Sequence, residues 1–423
     1  MNNKTVISPF FILATSQFIS QFGNNLLKYS LALYILEATD SVAMFSILTA
    51  VIMLPQIFVS PYGGALADFA DKKWIMVILD AISAVMLIAY YIIMRGNDSV
   101  LAMGIFICVM SIFQNIYDPV VRATIPNVVS GDKLTRANSI IQIITTVAML
   151  MGPVAAGFIY GAYGIYIVLL IDGISFVVSA IISAFLKVDH EKKQWKGNPL
   201  IIFTKDLIET YKIVKSEKKI LLYMAYISAG MNFLVMPLYL VGVPFLQKQV
   251  FNATNEMYGI SEACIGAGVI VGAIIAGIIG KKTSIKMLSY VLIFVAVFIL
   301  AMGGSTLAVD VQTEGISYLA YILLTVAGFC FIASITVSSV LCASLIQQIA
   351  PKNHLGKTIA LVNALSTAFL PIGQVAIGGL YEVIDTWYII LYMIISACML
   401  AIAVAISKMI KIEALDISVQ SEL

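Results

Sequence analysis

Gln17, Gln21, Asn24 and Lys28 follow one another at spacings of four, three and four, which places them on one face of a helix. Asn25 lies beside them. Such a face offers amide hydrogen bonds and one positive charge. It can hold an anionic or zwitterionic ligand, or Lys28 can pair with an acid. Four acids also stand within otherwise apolar stretches: Asp80, Asp118, Asp172 and Glu262. A carboxylate whose charged form is disfavoured by desolvation can load and release a proton. Asp172 is the first candidate for that role, with Asp80 and Asp118 behind it. The alternative for each is a local hydrogen bond or a helix cap, and for Asp80 this is the preferred reading.

The elements that must position these residues are membrane-spanning. Hydrophobic residues make up 61% of the 423-residue chain and charged residues 11%, too few charges to cover a soluble surface of this size. The apolar runs are about twenty residues long, the length of a spanning helix and not of a barrel strand. Twelve are expected, at 9–36, 43–66, 74–94, 100–121, 139–161, 164–186, 220–246, 257–280, 286–304, 316–346, 357–381 and 386–407. The first is too long for the core of a signal peptide and has no small-residue cleavage site, so it is read as the first helix. With both termini cytoplasmic, all but three of the 25 basic residues fall on the cytoplasmic side. Arg95 and Lys248 lie outside and Lys28 within a helix, so the asymmetry tests the count. A lysine inside the bilayer costs about 3 kcal/mol. Lys28 therefore either faces a cavity or partner, or snorkels to the interface.

One polar connection stands near the midpoint, with nine lysines between Lys187 and Lys219. It divides the chain into an N-terminal six-helix bundle (1–186), a cytoplasmic linker (187–219) and a C-terminal six-helix bundle (220–423). Phe203 to Val214 can form an amphipathic helix on the anionic inner leaflet, or the linker is simply solvated. Two faint repeats relate the halves. The stretch from Gly64 to Lys73 has a blurred copy from Ala273 to Lys282, and Pro126-x11-Asn138 recurs as Pro351-x11-Asn363. Repeated halves around a central cavity are the architecture of secondary transporters.

The segment Gly64-x-Leu66-Ala67-Asp68, followed by Lys72 and Lys73, resembles the loop signature of the major facilitator superfamily. Phe69 stands where that signature has a basic residue, and Asp71 where it has glycine. Pro119-x2-Arg122-x3-Pro126 with Leu134-Thr-Arg-Ala-Asn138-Ser139 is similar to the macrolide-efflux and siderophore-export branch. Gly152-Pro153-x3-Gly157 resembles the antiporter motif of drug/proton exporters, with Ala148 and Ala156 at positions where that motif prefers glycine. The resemblance implies an all-α fold of two pseudo-symmetric bundles in the cell membrane. It further implies a gate in which Asp68 on the loop after helix 2 reaches Arg122, with Asp118 as a competing partner and Lys72 and Lys73 at the headgroups. The facing helix would be helix 11. An ordinary turn with topology-setting lysines is the plainer alternative. The helix-5 glycines would shape the interface between the halves, or serve only as close packing.

The C-terminal half offers neutral cavity candidates, Asn232, Tyr239, Asn363 and Gln374, beside Phe233 and Phe369. A polar and aromatic lining with adaptable methionines, of which the chain has 19, suits bulky amphipathic molecules; simple helix packing is the alternative. No metal site is expected, since His190 and His354 stand alone and the five cysteines show no ligand spacing. A net charge of +2 gives no basic surface for nucleic acid. Gly266-Ala-Gly268-x3-Gly272 has the wrong spacing for a dinucleotide loop, and no hydrolase or nucleotide-binding motif is present. The expected function is secondary active transport without a cofactor, namely proton-driven efflux of amphipathic compounds by a monomer. Alternatives are a lysophospholipid or siderophore transporter of the same fold, and a membrane sensor.

Overall fold

The computed structural model describes residues 8–39, 41–94, 99–129, 133–188, 198–217, 219–279, 285–309, 315–350, 355–384 and 387–421. All regular structure among them is helical. The long helices are α1 (Pro9–Thr39), α2 (Val42–Phe69), α3 (Lys72–Met94), α4 (Val100–Val128), α5 (Leu134–Ala184), α6 (Pro199–Glu217) and α7 (Lys219–Gly230). After a short α8 (Val243–Phe245) come α9 (Asn255–Ile279), α10 (Ile285–Gly304), α11 (Tyr318–Ile349), α12 (Leu355–Ile384) and α13 (Tyr388–Ser421). Among the described residues nine helical stretches are long and apolar enough to cross a membrane.

The expected boundary between helices 5 and 6 is a break within α5. Gly164 has φ 73° and ψ −178°, a conformation essentially confined to glycine. The turn between α2 and α3 differs from expectation. Gly64 to Asp68 are the last turns of α2 and not a loop, because Ala and Leu continue the helix to Phe69 and nothing between Gly64 and Phe69 stops it. The turn is confined to Ala70 and Asp71. There Asp71 Oδ1 accepts from the Lys73 amide at 3.0 Å, so the acid at the motif's glycine position caps α3.

The seventh expected span also departs from a plain helix. After Gly230 the backbone widens into π turns at Met231–Val235, Leu238–Gly242 and Leu246–Val250, with α8 between the last two. Pro237 and Pro244 lack an N–H, and wide turns are one way a helix passes such residues. Asn252, at φ 54°, then turns the chain into α9; asparagine tolerates that left-handed conformation. The linker helix forms as α6, longer than expected. Asn198 caps it by accepting from the Leu200 amide at 3.0 Å, with Pro199 in the first turn. Thr210 and Val214 are buried, while Ile201, Ile202 and Ile208 are exposed.

The chain forms two compact units. The first comprises residues through 40, Leu48–Thr204 and Thr254–Ala263; the second comprises Ser41–Ile47, Lys205–Ala253 and Cys264 onward. In the first unit α1 and α3 pack on α5. One core there joins Leu27, Leu31, Phe106, Leu169 and Tyr258, and another joins Leu13, Met76, Tyr117 and Val121. In the second unit α10 packs on α13 and α11, and α12 packs on α7 and its π turns.

Candidate functional site

The polar face of α1 forms as expected and is graded along its length. Gln17 is buried at 4% exposure, Gln21 and Asn24 are half-buried, and Lys28 is exposed. Asn25 Nδ2 donates to the Gln21 carbonyl at 2.7 Å, which steadies this part of the helix. Opposite, α4 presents Asp118. Its Oδ1 accepts from Gln114 Nε2 at 2.9 Å and, at longer range, from Gln21 Nε2 at 3.5 Å. Arg122, one turn on and exposed, acts on Asp118 electrostatically. A half-buried carboxylate oriented by neutral amides can take a hydrogen-bonding or cationic group without first giving up an ion pair. The Lys28 ammonium lies 5.8 Å from the centre of the Tyr29 ring.

Tyr117 and Asp118 are neighbours that α4 sends in different directions. The Tyr117 hydroxyl donates to Asp80 Oδ2 at 3.4 Å, and the Ser179 hydroxyl donates to the same oxygen at 2.7 Å. Asp80 is 1% exposed and Asp172 fully buried. Asp172 Oδ1 accepts from Ser175 at 3.1 Å. Gly23 of α1 lies so close that a Cβ there would collide with both Asp172 and Ser175. Asp80 Oδ1, Asp172 Oδ2 and Gln17 Oε1 are buried without a hydrogen-bond partner among the described residues.

Together these groups form a buried polar seam between α1, α3 and α5. Ser16, Ser20 and Ser30 of α1, Ser83 of α3, and Ser179 and Ser183 of α5 are all at or below 4% exposure. Sequence reasoning finds the two acids and misses the serines. The signal is present: Asp172, Ser175, Ser179 and Ser183 follow at helical spacings of three, four and four.

The side chain of Asp68 lies outside the described residues, and with it the expected contact to Arg122. Gly64 likewise carries no described surroundings. Leu66 packs at the edge of the Tyr117 core, and Lys72 and Lys73 sit half-buried in the first turn of α3, with Lys73 over the Trp74 ring at 5.3 Å. The helix-5 residues make close contacts. A Cβ on Gly152 would stand 2.6 Å from Asn25 Cβ, one on Gly157 would strike the Asn255 carbonyl, and the Pro153 carbonyl leaves room at Gly259 only for glycine. Ala148 and Ala156, at the two motif positions that prefer glycine, are fully buried.

In the second unit Gly373, next to Gln374 on α12, lies against the carbonyl of Phe233, next to Asn232. Asn232 Nδ2 donates back to the Ser228 carbonyl at 3.1 Å. Tyr239 and Gln374 are buried, and Asn363 is exposed. Phe233 and Phe369 meet edge to face at 6.4 Å. No group of three or more metal-ligating side chains occurs among the described residues, and all five cysteines are free.

Comparison with known proteins places these features in a family. The model of the Major Facilitator Superfamily matches residues 13–346. Macrolide efflux protein A of Streptococcus pyogenes is 22% identical over 372 residues, which are 86% of this chain and 87% of that protein. The lysophospholipid transporter LplT of Photorhabdus laumondii subsp. laumondii is 24% identical over 191 residues, 44% of this chain and 46% of that one. Among solved structures, the nucleoside transporter NupG superposes with a TM-score of 0.71 at 14% identity, covering 96% of this chain and 100% of that one, a likeness of fold alone. The family match spans well over half of the sequence: the chain belongs to the major facilitator superfamily and is a multi-pass membrane transporter.

Proposed function

We propose that the protein exports amphipathic, macrolide-like organic compounds by alternating access, driven by the proton gradient across the cell membrane. In this reading twelve helices form two pseudo-symmetric bundles (1–186 and 220–423) joined by the linker 187–219, with both termini cytoplasmic, in a monomer. The carrying observation is the division of labour among acids in the first unit. Asp118 is held half-buried opposite the α1 amides, where a substrate can reach it. Asp172 and Asp80 are sealed in the seam, where a proton can be carried. Likeness over most of the chain to macrolide efflux protein A supports the substrate class. Likeness to a lysophospholipid transporter over a shorter stretch supports a second reading, in which the amphipath is a lysolipid.

The test is accumulation of a labelled macrolide in cells expressing the protein, with and without a protonophore. Export requires lower accumulation that the protonophore abolishes. Accumulation unaffected by the protein, together with movement of lysophospholipid between leaflets, would replace the first reading with the second. Asp68→Asn addresses the gate: loss of turnover is expected, and wild-type turnover with unchanged accessibility of both sides would remove it.

A further inference from the structure

Tyr117 and Asp118 stand about 100° apart around α4 and face different partners, all within the first unit. Asp118 accepts from Gln21 of α1, and from Gln114 of its own helix. Tyr117 is 3% exposed and packed in the core of Leu13, Met76 and Val121. Its hydroxyl reaches Asp80 Oδ2 at 3.4 Å, a long hydrogen bond, whereas Ser179 donates to the same oxygen at 2.7 Å. Asp80 Oδ1 is buried without a hydrogen-bond partner among the described residues. A proton can sit there while Oδ2 goes on accepting. Asp80 and Asp118 both act electrostatically on Tyr117, and Asp80 acts on Asp172. The backbone of α4 can turn at this point. Pro119 lies inside the helix and has no N–H for the Asn115 carbonyl four residues back. Gly63 of α2 packs on that carbonyl and on Ile116, so one side of the turn is held while the proline loosens the next. A tyrosine hydroxyl stands roughly 9 Å from its helix axis, so a rotation of about 10° moves it by about 1.5 Å.

We infer that Tyr117 couples the substrate site to the proton seam: a substrate that engages Asp118 turns α4 and closes the Tyr117 hydroxyl onto Asp80, so that the proton on Oδ1 leaves as substrate binds. The inference rests on the reading that Asp118 meets substrate and that the seam carries the proton. A buried carboxylate keeps its charge by accepting hydrogen bonds. The position of one hydroxyl therefore ties proton occupancy of Asp80 to occupancy of the site at Asp118. The link is reciprocal, since a proton that opposes substrate is opposed by substrate to the same degree, as exchange of one for the other requires. Tyr117 is then a positioning residue. It touches neither the substrate nor the proton, and acts through the carboxylate it reaches.

The experiment uses the purified full chain in proteoliposomes, with a labelled macrolide and a labelled lysophospholipid as probes. The infrared carbonyl band of protonated Asp80 is identified as the one missing from Asp80→Asn. In the wild type the transported probe should diminish that band, and in Tyr117→Phe it should leave the band unchanged. The phenylalanine ring still fills the core, so Tyr117→Phe should exchange labelled for unlabelled probe at about the wild-type KM. Its transport driven by an imposed pH gradient should fall about tenfold. Equal loss of exchange and gradient-driven transport would mark a merely structural residue and overturn the inference. So would gradient-driven transport at the wild-type rate, the lack of an Asp80 band at every pH, or a band that ignores a transported probe. A wild-type protein that moves neither probe would instead overturn the export reading. The link then stands or falls by Asp118→Asn, which should change the Asp80 band where Tyr117 is present and leave it unchanged in Tyr117→Phe.

Discussion

The two units treat buried polarity differently. Among the described residues, the charged side chains that are buried (Asp80, Asp172 and Glu262) all belong to the first unit. The second unit buries neutral groups: Gln247, Ser289, Ser338, Thr358, Gln374 and Ser396, with the Tyr381 hydroxyl donating to that of Tyr392 at 2.7 Å. Ionisable groups are expensive in a bilayer and neutral hydrogen-bonded groups are not. A chain that concentrates that expense in one place has put its chemistry there. The second unit reads as shape: π turns, close glycines and aromatic packing, with Gly373 pressed on the Phe233 carbonyl and Gly242 beneath the Tyr381 hydroxyl.

The sharpest way to break this contrast is Asp172→Asn. Gradient-driven efflux should fall about a hundredfold while the protein still folds, since the amide keeps the shape and the contact with Ser175. Full gradient-driven efflux in that variant would end the proton-carrier role. Gly23→Ala comes next. Its methyl must displace Asp172 and Ser175, at a cost of about 1–3 kcal/mol, seen as a lower Tm together with impaired efflux. Gly373→Ala meets a backbone carbonyl in the second unit and should lower Tm comparably, with the surviving folded protein still transporting. Equal losses of specific transport in both would erase the distinction between units.

Smaller effects refine it. Ser179→Ala removes the closer hydrogen bond to Asp80 and should cost about 1–3 kcal/mol of stability, measurable by denaturation of the detergent-solubilised protein. Tyr381→Phe leaves the Tyr392 hydroxyl without its tyrosine partner in the second unit, an expected loss of about 1 kcal/mol with efflux unchanged. A transport defect in Tyr381→Phe exceeding that of Ser179→Ala would show that chemistry extends into the second unit.

Much of this is legible along the chain. The break at Gly164, the linker helix and the α1 face are all local properties of spacing and composition. The end of α2 is not, because the family signature there implies a loop whereas Ala and Leu simply continue the helix to an Asp71 cap. The π turns after Gly230 escape a reading by spacing because prolines announce a disturbance without saying which form it takes; the packing of Gly373 and Tyr381 against that stretch belongs to the tertiary structure.

Sequence alone determined that this protein is helical and lives in a membrane, because hydrocarbon thickness converts directly into the length of an apolar run. It also determined which side chains share a helical face, because the 3.6-residue repeat is a property of one helix. Only the tertiary structure decided which faces meet. Ser179 reached Asp80 across 99 residues of chain, and Gln21 reached Asp118. Periodicity says where a side chain points from its own axis, while the neighbour it finds depends on how close two helices can approach, and at Gly23, Gly152 and Gly157 that was settled by the absence of a single Cβ.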